Sequence, residues 1–286
     1  MDRIAIINGE SFLYWSQIIL TLGAVAAIKI YAAIYLGKNR NYLALCVSVA
    51  LSVVLSLPLS RLIHWYRFSS TYESLAAAMT DYSSGGYALM GVFAACLLAA
   101  GICRLTRLTT DIWSMLDCMA IGGGVGIAVG RLAPLFNSTD RSGITVPDSV
   151  GFPWAWPVIN PVSGASENRL AVFMLQSMLV ALIVLSLLGY MLWRKLRKKP
   201  LKNGDTFLIF LLLYGCAQVV CDSIRKDSLT FPFNDFVSIV QIAALALALV
   251  PVVLFSIRMV KRYTLRWWQI PIWAGIAGTL GLAGYM

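Results

Sequence analysis

Long apolar runs recur along this chain and leave little choice about its fold. Runs of about twenty residues lie near 14–36, 42–60, 86–106, 112–130, 170–193, 206–224, 236–257 and 268–286. A helix of about that length crosses a hydrocarbon core of roughly 30 Å. With a mean hydropathy of +0.77 and 13% charged residues, the chain is too apolar for a soluble domain. The sequence predicts an all-α polytopic membrane protein with seven transmembrane helices, and the short run 268–286 is an eighth candidate.

Lysine and arginine fall unevenly on the connections between these runs. They are dense around 38–40, 104–107, 194–202 and 258–266 and sparser on the opposite side. The positive-inside rule makes the dense side cytoplasmic, so we expect the N-terminus outside. The basic connection 194–202 is most simply a topology anchor, and binding of anionic lipid is a second interpretation. Topology also accounts for the net charge of +10, so no nucleic-acid partner is expected.

The remaining composition predicts no cofactor and no metal. All six cysteines lie inside apolar runs, and the chain has one histidine, which argues against a disulfide framework or a zinc site. No internal repeat is visible. We therefore expect one membrane domain over 1–286, with an irregular extracytoplasmic arm at 138–169 that is rich in proline and tryptophan.

One apolar helix, predicted near 112–130, organises the polar residues. Its glycines at 122, 126 and 130 are four apart, so they share a face on which a neighbouring backbone can pack closely. Arg131 follows this glycine face. Asp117 lies about 21 Å away along the helix, near the predicted cytoplasmic end, where a structural pairing with a neighbouring helix is the expected role.

Polar residues gather at the outward ends of three predicted spans: Arg61 and His64 in the second, Arg131 in the fourth, and Tyr214, Gln218, Asp222 and Arg225 in the sixth. The spacings of four, four and three put the last set on one helix face. Asp222 and Arg225 could be only a local pair, and Arg61 and Arg131 could only snorkel to lipid phosphates. Several ionisable groups converging at one membrane face favour an outward-facing, anion-binding polar cavity.

His64 allows two interpretations. It is the only side chain here that is expected to titrate near neutral pH, so it could act as a base. An imidazole beside Trp65 and Tyr66 is more simply an interfacial residue.

Four segments together resemble the prolipoprotein diacylglyceryl transferase family of the bacterial inner membrane. They are Arg61 with the aromatic residues after it, Gly85-Gly86-Tyr87-Ala88-Leu89-Met90-Gly91, Asp117 through Gly130-Arg131 to Asn137, and Tyr214-Gly215 through Asp222 to Arg225. The third is the most specific, because it keeps the Gly-Arg and the later Asn of the family's signature.

The sequence departs from the family pattern at several positions. Met90 stands where the family has its functional histidine, and Gln218 stands where the family has an arginine. The signature's Gly-Asn is replaced by Ala133-Pro134, its acidic residue by Thr139 with Asp140 one place later, and no His-Pro-x-Gln-Leu-Tyr-Glu motif precedes the fifth span.

The resemblance implies transfer of diacylglyceryl from phosphatidylglycerol to the lipobox cysteine thiol of a prolipoprotein, in the bacterial cytoplasmic (inner) membrane. It implies that Arg131 and Tyr214 act in catalysis, and that Arg61, Asn137, Gln218, Asp222 and Arg225 bind the lipid and its phosphate. The alternative is a non-catalytic relative that binds anionic phospholipid or a lipidated peptide, motivated by Met90 and Gln218. A transporter has little support, because no inverted repeat is visible.

Overall fold

A computed structural model describes residues 4–8, 11–38, 40–67, 72–80, 87–136, 143–159, 164–198, 202–225, 230–231, 234–262 and 278. Helices dominate these residues: α1 (Trp15–Leu36), α2 (Tyr42–Arg67), α3 (Leu75–Thr80), α4 (Leu89–Leu105), α5 (Ile112–Gly130), α6 (Val172–Leu196), α7 (Asp205–Ser223) and α8 (Ile239–Arg262). The strands form three antiparallel pairs: β1 (Ile4–Asn8) with β2 (Ser11–Tyr14), β3 (Ala155–Ile159) with β4 (Ser166–Leu170), and β5 (Thr230–Phe231) with β6 (Asn234–Ser238).

Each of the seven clear apolar runs contains one long helix. Six of these helices are long and apolar enough to cross a membrane, and α4, with 17 residues, is at the short end. The prediction of an all-α polytopic membrane protein is confirmed. The eighth candidate span, 268–286, lies outside the described residues except for one position.

Two helix ends differ from the sequence prediction. The helix α2 runs past the polar Ser60-Arg61 pair to Arg67, because those two side chains are buried against protein instead of marking the end of the span. The helix α4 begins only at Leu89, because the preceding residue Ala88 is extended and donates its N–H to the Ser60 carbonyl at 3.3 Å.

The described chain forms two compact units. The first comprises Met1–Ala27, Ile121–Leu201 and Leu208–Met286, and the second comprises Ile28–Ala120 and Lys202–Phe207. We refer to them as unit 1 and unit 2. Both contain parts of membrane-spanning helices, and one membrane domain over 1–286 stays a prediction.

Unit 1 holds a close contact between α1 and α5. A β-carbon added at Gly23 would lie 2.9 Å from the carbonyl oxygen of Gly126 and 3.1 Å from the amide nitrogen of Gly130. The two helices therefore approach through glycine backbone, as the stripe of glycines predicts. The residue after this contact is Arg131.

Unit 2 is built around a buried cluster from α1, α2, α4 and α5. Tyr31 and Tyr35 belong to it, and the Tyr31 hydroxyl is 2.8 Å from the Ser48 hydroxyl. A β-carbon at Gly91 would lie 2.3 Å from the Ser60 amide nitrogen. The start of α4 is therefore fixed on the backbone of α2, immediately before Arg61.

Part of the segment predicted as an irregular arm, 138–169, is regular. The strands β3 and β4 pair from Ala155 opposite Leu170 to Ile159 opposite Ser166, and Thr145 pairs with Arg169 on the other side of β4. Prolines at 147, 153, 157 and 161 hide the alternation that marks a strand. Pro157 is tolerated because β3 is a hairpin edge that does not need a donor at every residue.

Candidate functional site

Arg131 extends α5 by one residue and meets α7 in unit 1. Its amide donates to the Ile127 carbonyl at 2.9 Å, and a 3-10 turn over Ala133–Leu135 follows. Pro134 has no N–H to donate within an α-helix, so the α-helical pattern of α5 does not continue through it. The Arg131 side chain is half-buried and donates a hydrogen bond to the hydroxyl of Tyr214. A cation is therefore held at the end of the glycine-packed helix by a buried phenol.

The polar face predicted for α7 faces the protein interior. Tyr214, Gln218 and Asp222 are all buried, as expected for residues at successive spacings of four. Arg225 lies two residues beyond the helix, and its amide donates to the Asp222 carbonyl at 3.1 Å. Arg131, Asp222 and Arg225 all lie within electrostatic range of Cys221. Unit 1 thus brings together two of the predicted arginines and the predicted carboxylate.

Gln218 has a partner that the sequence analysis missed. The Gln176 side chain of α6 donates to the side-chain oxygen of Gln218, and both residues are buried. The adjacent Ser177 donates to the Ala128 carbonyl of α5 at 2.6 Å. A Gln-Ser pair inside an apolar helix is the signal that could have located this contact, because buried polar groups need hydrogen-bond partners.

The chain after Asn137 returns to the end of α7. Gly143 forms a backbone bridge with Arg225, and the Ile144 amide donates to the Ile224 carbonyl at 3.2 Å. A β-carbon at Gly143 would lie 2.0 Å from the Leu170 carbonyl oxygen. Asn137, Asp140 and Arg141 lie outside the described residues, and the lipid-binding role of Asn137 stays a prediction.

A second cluster, in unit 2, surrounds Arg61. This side chain is 2% exposed, and its Cζ atom lies 5.2 Å from the ring centre of Tyr87 and 5.8 Å from that of Tyr72. Both distances are in the range of cation–π attraction. The Tyr72 hydroxyl is 3.4 Å from Nδ1 of His64. The sequence identified Arg61 and His64, included Tyr87 only as part of a segment of family resemblance, and did not single out Tyr72. Both tyrosines come from the connection between α2 and α4.

Met90 lies in the first turn of α4, where it is half-buried. A thioether is only a weak hydrogen-bond acceptor and cannot take a proton near neutral pH. The convergence of Arg61, His64 and Arg131 in one cavity stays a prediction, because Arg131 belongs to unit 1 and the other two to unit 2.

Asp117 caps a helix, as expected from its position far from Arg131. Its two carboxylate oxygens accept hydrogen bonds from the amides of Gly204 and Phe207, each at 2.8 Å. Gly204 immediately precedes α7, so the carboxylate satisfies amides that have no partner within that helix. Negative charge there also complements the helix dipole. The predicted structural pairing with a neighbouring helix is confirmed.

Taken separately, the cluster in each unit has side chains that suit an anion carrying hydroxyl groups. Guanidinium groups bind phosphate oxygens, and phenol and amide groups bind hydroxyls. Within the described residues, no group of three or more His, Cys, Asp or Glu side chains could hold a metal ion.

Comparison with known proteins identifies the family. The family model for prolipoprotein diacylglyceryl transferase matches residues 4–257. Proteins named phosphatidylglycerol–prolipoprotein diacylglyceryl transferase are similar to the chain in Nostoc sp. (26% identity, covering 80% of this chain and 81% of the relative) and Finegoldia magna (25%, covering 89% and 94%). A protein of the same name from Streptococcus suis is 26% identical (81% and 84%).

These relatives are bacterial, and the described helices are those of a multi-pass membrane protein. The match extends over most of the chain, from the first strand pair to α8. This chain belongs to the prolipoprotein diacylglyceryl transferase family.

Proposed function

We propose that this chain transfers the diacylglyceryl group of phosphatidylglycerol to the lipobox cysteine thiol of a prolipoprotein. Its relatives are named for phosphatidylglycerol and prolipoprotein. The cysteine sulfur bonds to the glycerol carbon that carries the phosphate. The bond from that carbon to the phosphate oxygen breaks, and glycerol phosphate leaves with the electron pair. The thiol proton passes to a base, and the lipid remains attached through a thioether.

The contact between Arg131 and Tyr214 carries this proposal. The leaving phosphate gains negative charge as its carbon–oxygen bond breaks, and a fixed guanidinium stabilises that charge. The Tyr214 hydroxyl holds Arg131 in place and orients the lipid head group. We assign Asp222 and Arg225 to the same lipid site, because both lie, like Arg131, within electrostatic range of Cys221.

Gln218 and Asn137 complete the proposed lipid-binding set. Gln218 carries an amide that can bind a glycerol hydroxyl, and its pairing with Gln176 holds that amide in place. Asn137 would orient the head group from the connection after Arg131. Arg61 is assigned to phosphate binding in unit 2, where two tyrosine rings flank its guanidinium.

The proton acceptor is proposed to be His64. The thiolate is the nucleophile, so the thiol has to lose its proton, and Met90 cannot accept it. A hydrogen bond from Tyr72 to Nδ1 of His64 would leave Nε2 for the thiol. If His64→Gln leaves the transfer rate and its pH dependence unchanged, this assignment is wrong.

The experiment incubates purified protein with phosphatidylglycerol and a lipobox peptide and detects the diacylglyceryl thioether by mass spectrometry. We expect product with the wild type, none with Arg131→Ala, and full activity with the control Arg104→Ala at the exposed end of α4. Full activity of Arg131→Ala would refute its role. Absence of product from the wild type, beside an active family member, would refute the transferase proposal.

A second candidate function is binding without catalysis. Met90 stands at the family's histidine position, and Gln218 is engaged with Gln176 instead of offering a guanidinium. Such a protein would hold anionic phospholipid or a lipidated peptide in the same site. Native mass spectrometry that finds no preference for phosphatidylglycerol over phosphatidylcholine would contradict it.

We also propose that the protein lies in the bacterial cytoplasmic (inner) membrane with its N-terminus outside, as the distribution of Lys and Arg indicates. In whole cells, a membrane-impermeant maleimide should label Thr145→Cys and should not label Lys198→Cys. The reverse labelling would invert the topology.

A further inference from the structure

The last turn of α6 is not covered by the rest of the described structure. Leu192 is 61% exposed, Trp193 49% and Leu196 82%, although all three are large apolar side chains. Lys195, Arg197 and Lys198 are exposed as well. Within the described residues, these apolar and basic side chains are therefore accessible to the surrounding medium.

The exposed side chains divide into two halves around the helix. At about 100° per residue, Arg194, Lys195 and Arg197 fall within about 160° of arc, and the apolar residues lie outside it. The basic half consists of the exposed Lys195 and Arg197 and the half-buried Arg194, and the exposed Lys198 follows the helix in sequence. The other half consists of Leu192, Leu196 and Trp193. Such a division fits a boundary between hydrocarbon and charged head groups.

The length of α6 places this turn at that boundary. The helix has 25 residues, which is about 37 Å, against a hydrocarbon core of roughly 30 Å. It begins two residues after β4 ends at Leu170, so the excess length lies at the opposite end. Tryptophan is enriched at the membrane interface, and Trp193 occupies that level.

One basic residue of this turn, Arg197, has an aromatic partner, and no carboxylate lies close to it in sequence. The Cζ atom of Arg197 lies 5.0 Å from the ring centre of Trp193, and no Asp or Glu occurs between Glu167 and Asp205. A guanidinium stacked on a ring keeps the N–H donors in its plane available for a phosphate. The stacking therefore orients Arg197 without neutralising it.

We propose that residues 192–198 form a lipid arm, which binds the phosphate head groups of anionic phospholipids in the adjacent leaflet. The exposed leucines lie among the acyl chains, and the basic half contacts the phosphates. Charge complementarity selects anionic over zwitterionic lipid. The arm takes no part in the transfer reaction, so the proposal goes beyond the proposed function and does not depend on it.

The test uses phosphatidylserine, which is anionic but is not the proposed donor lipid. Delipidated protein is mixed with equal amounts of phosphatidylserine and phosphatidylcholine of matched chains, and native mass spectrometry counts the lipids retained. The arm variant is Lys195→Gln/Arg197→Gln/Lys198→Gln. The control variant is Arg104→Gln/Arg107→Gln, two exposed basic residues at the end of α4.

We expect the wild type and the control, which keep the arm intact, to prefer phosphatidylserine at least tenfold, because each basic side chain of the arm contributes roughly fivefold. The arm variant should lose most of this preference, and high salt should weaken it in the wild type. Three results would each overturn the proposal: no preference in the wild type, full preference in the arm variant, or an equal loss in the control. Diacylglyceryl transfer is measured in parallel and tests the proposed function separately.

Discussion

Removal of the Asp117 carboxylate tests whether the start of α7 depends on a cap from another helix. In Asp117→Ala, the amides of Gly204 and Phe207 lose acceptors at 2.8 Å. Gly204 is buried, Phe207 is partly buried, and Asp117 is itself only 4% exposed. Water can therefore replace the carboxylate as acceptor only poorly at the Gly204 amide and better at the Phe207 amide.

The expected loss follows from these two hydrogen bonds. A hydrogen bond to a charged group contributes about 1.5–3 kcal/mol, so two give an upper value of about 6 kcal/mol. The desolvation cost of the buried carboxylate offsets part of this stabilisation. Hydrogen bonding of water to the Phe207 amide in the variant reduces the expected loss further. We expect Asp117→Ala to lower the free energy of unfolding by about 3 kcal/mol. Asp117→Asn keeps one side-chain oxygen as acceptor, so it should lose about half as much.

The assay is equilibrium unfolding in mixed micelles, followed by tryptophan fluorescence. Asp148→Ala is the matched control, because the exposed Asp148 accepts one hydrogen bond, from Asn168 at 2.9 Å. It should change the free energy by less than about 0.5 kcal/mol. Hydrogen exchange should accelerate at the Gly204 and Phe207 amides in the alanine variant. If Asp117→Ala and Asp148→Ala have the same free energy of unfolding, the reasoning is refuted.

Three further predictions concern the site. Gly143→Ala should destabilise the protein by at least about 2 kcal/mol in thermal unfolding, because its β-carbon would meet the Leu170 carbonyl at 2.0 Å. The control Gly189→Ala, whose β-carbon would meet no atom within 4 Å, should be neutral or stabilising in the same assay. Tyr214→Phe should reduce kcat/KM for diacylglyceryl transfer about tenfold, because Arg131 loses its hydrogen-bond partner. An unchanged kcat/KM would exclude a role for the Tyr214 hydroxyl. Met90→His should raise the transfer rate at least tenfold, because it adds a second imidazole base at the family's histidine position; an unchanged rate would show that proton removal does not limit the reaction.

The sequence predicted what depends on one segment at a time. The apolar runs located seven helices, and the spacing of glycines predicted that α5 packs closely on a neighbouring backbone, which is that of α1 at Gly23. The position of Asp117 far from Arg131 indicated its structural role. Each of these inferences needs only helical periodicity and the cost of burying charge.

The sequence did not predict what depends on pairing between distant segments. Gln176 meets Gln218 across 42 positions, and no local pattern selects that partner from the other polar residues. Tyr72 and Tyr87 contact Arg61 only because the connection after α2 folds back. The pair β3 and β4 was missed because four prolines mask its alternation.

The amide pair formed by Gln176 and Gln218 has an evolutionary consequence. Two buried amides satisfy each other, so changing one alone leaves a donor or acceptor unmatched in a dry interior. An exchange of both for apolar side chains of similar volume avoids that penalty. Among descendants of this protein, the two positions should therefore mutate in concert, and lineages that alter only one should be rare.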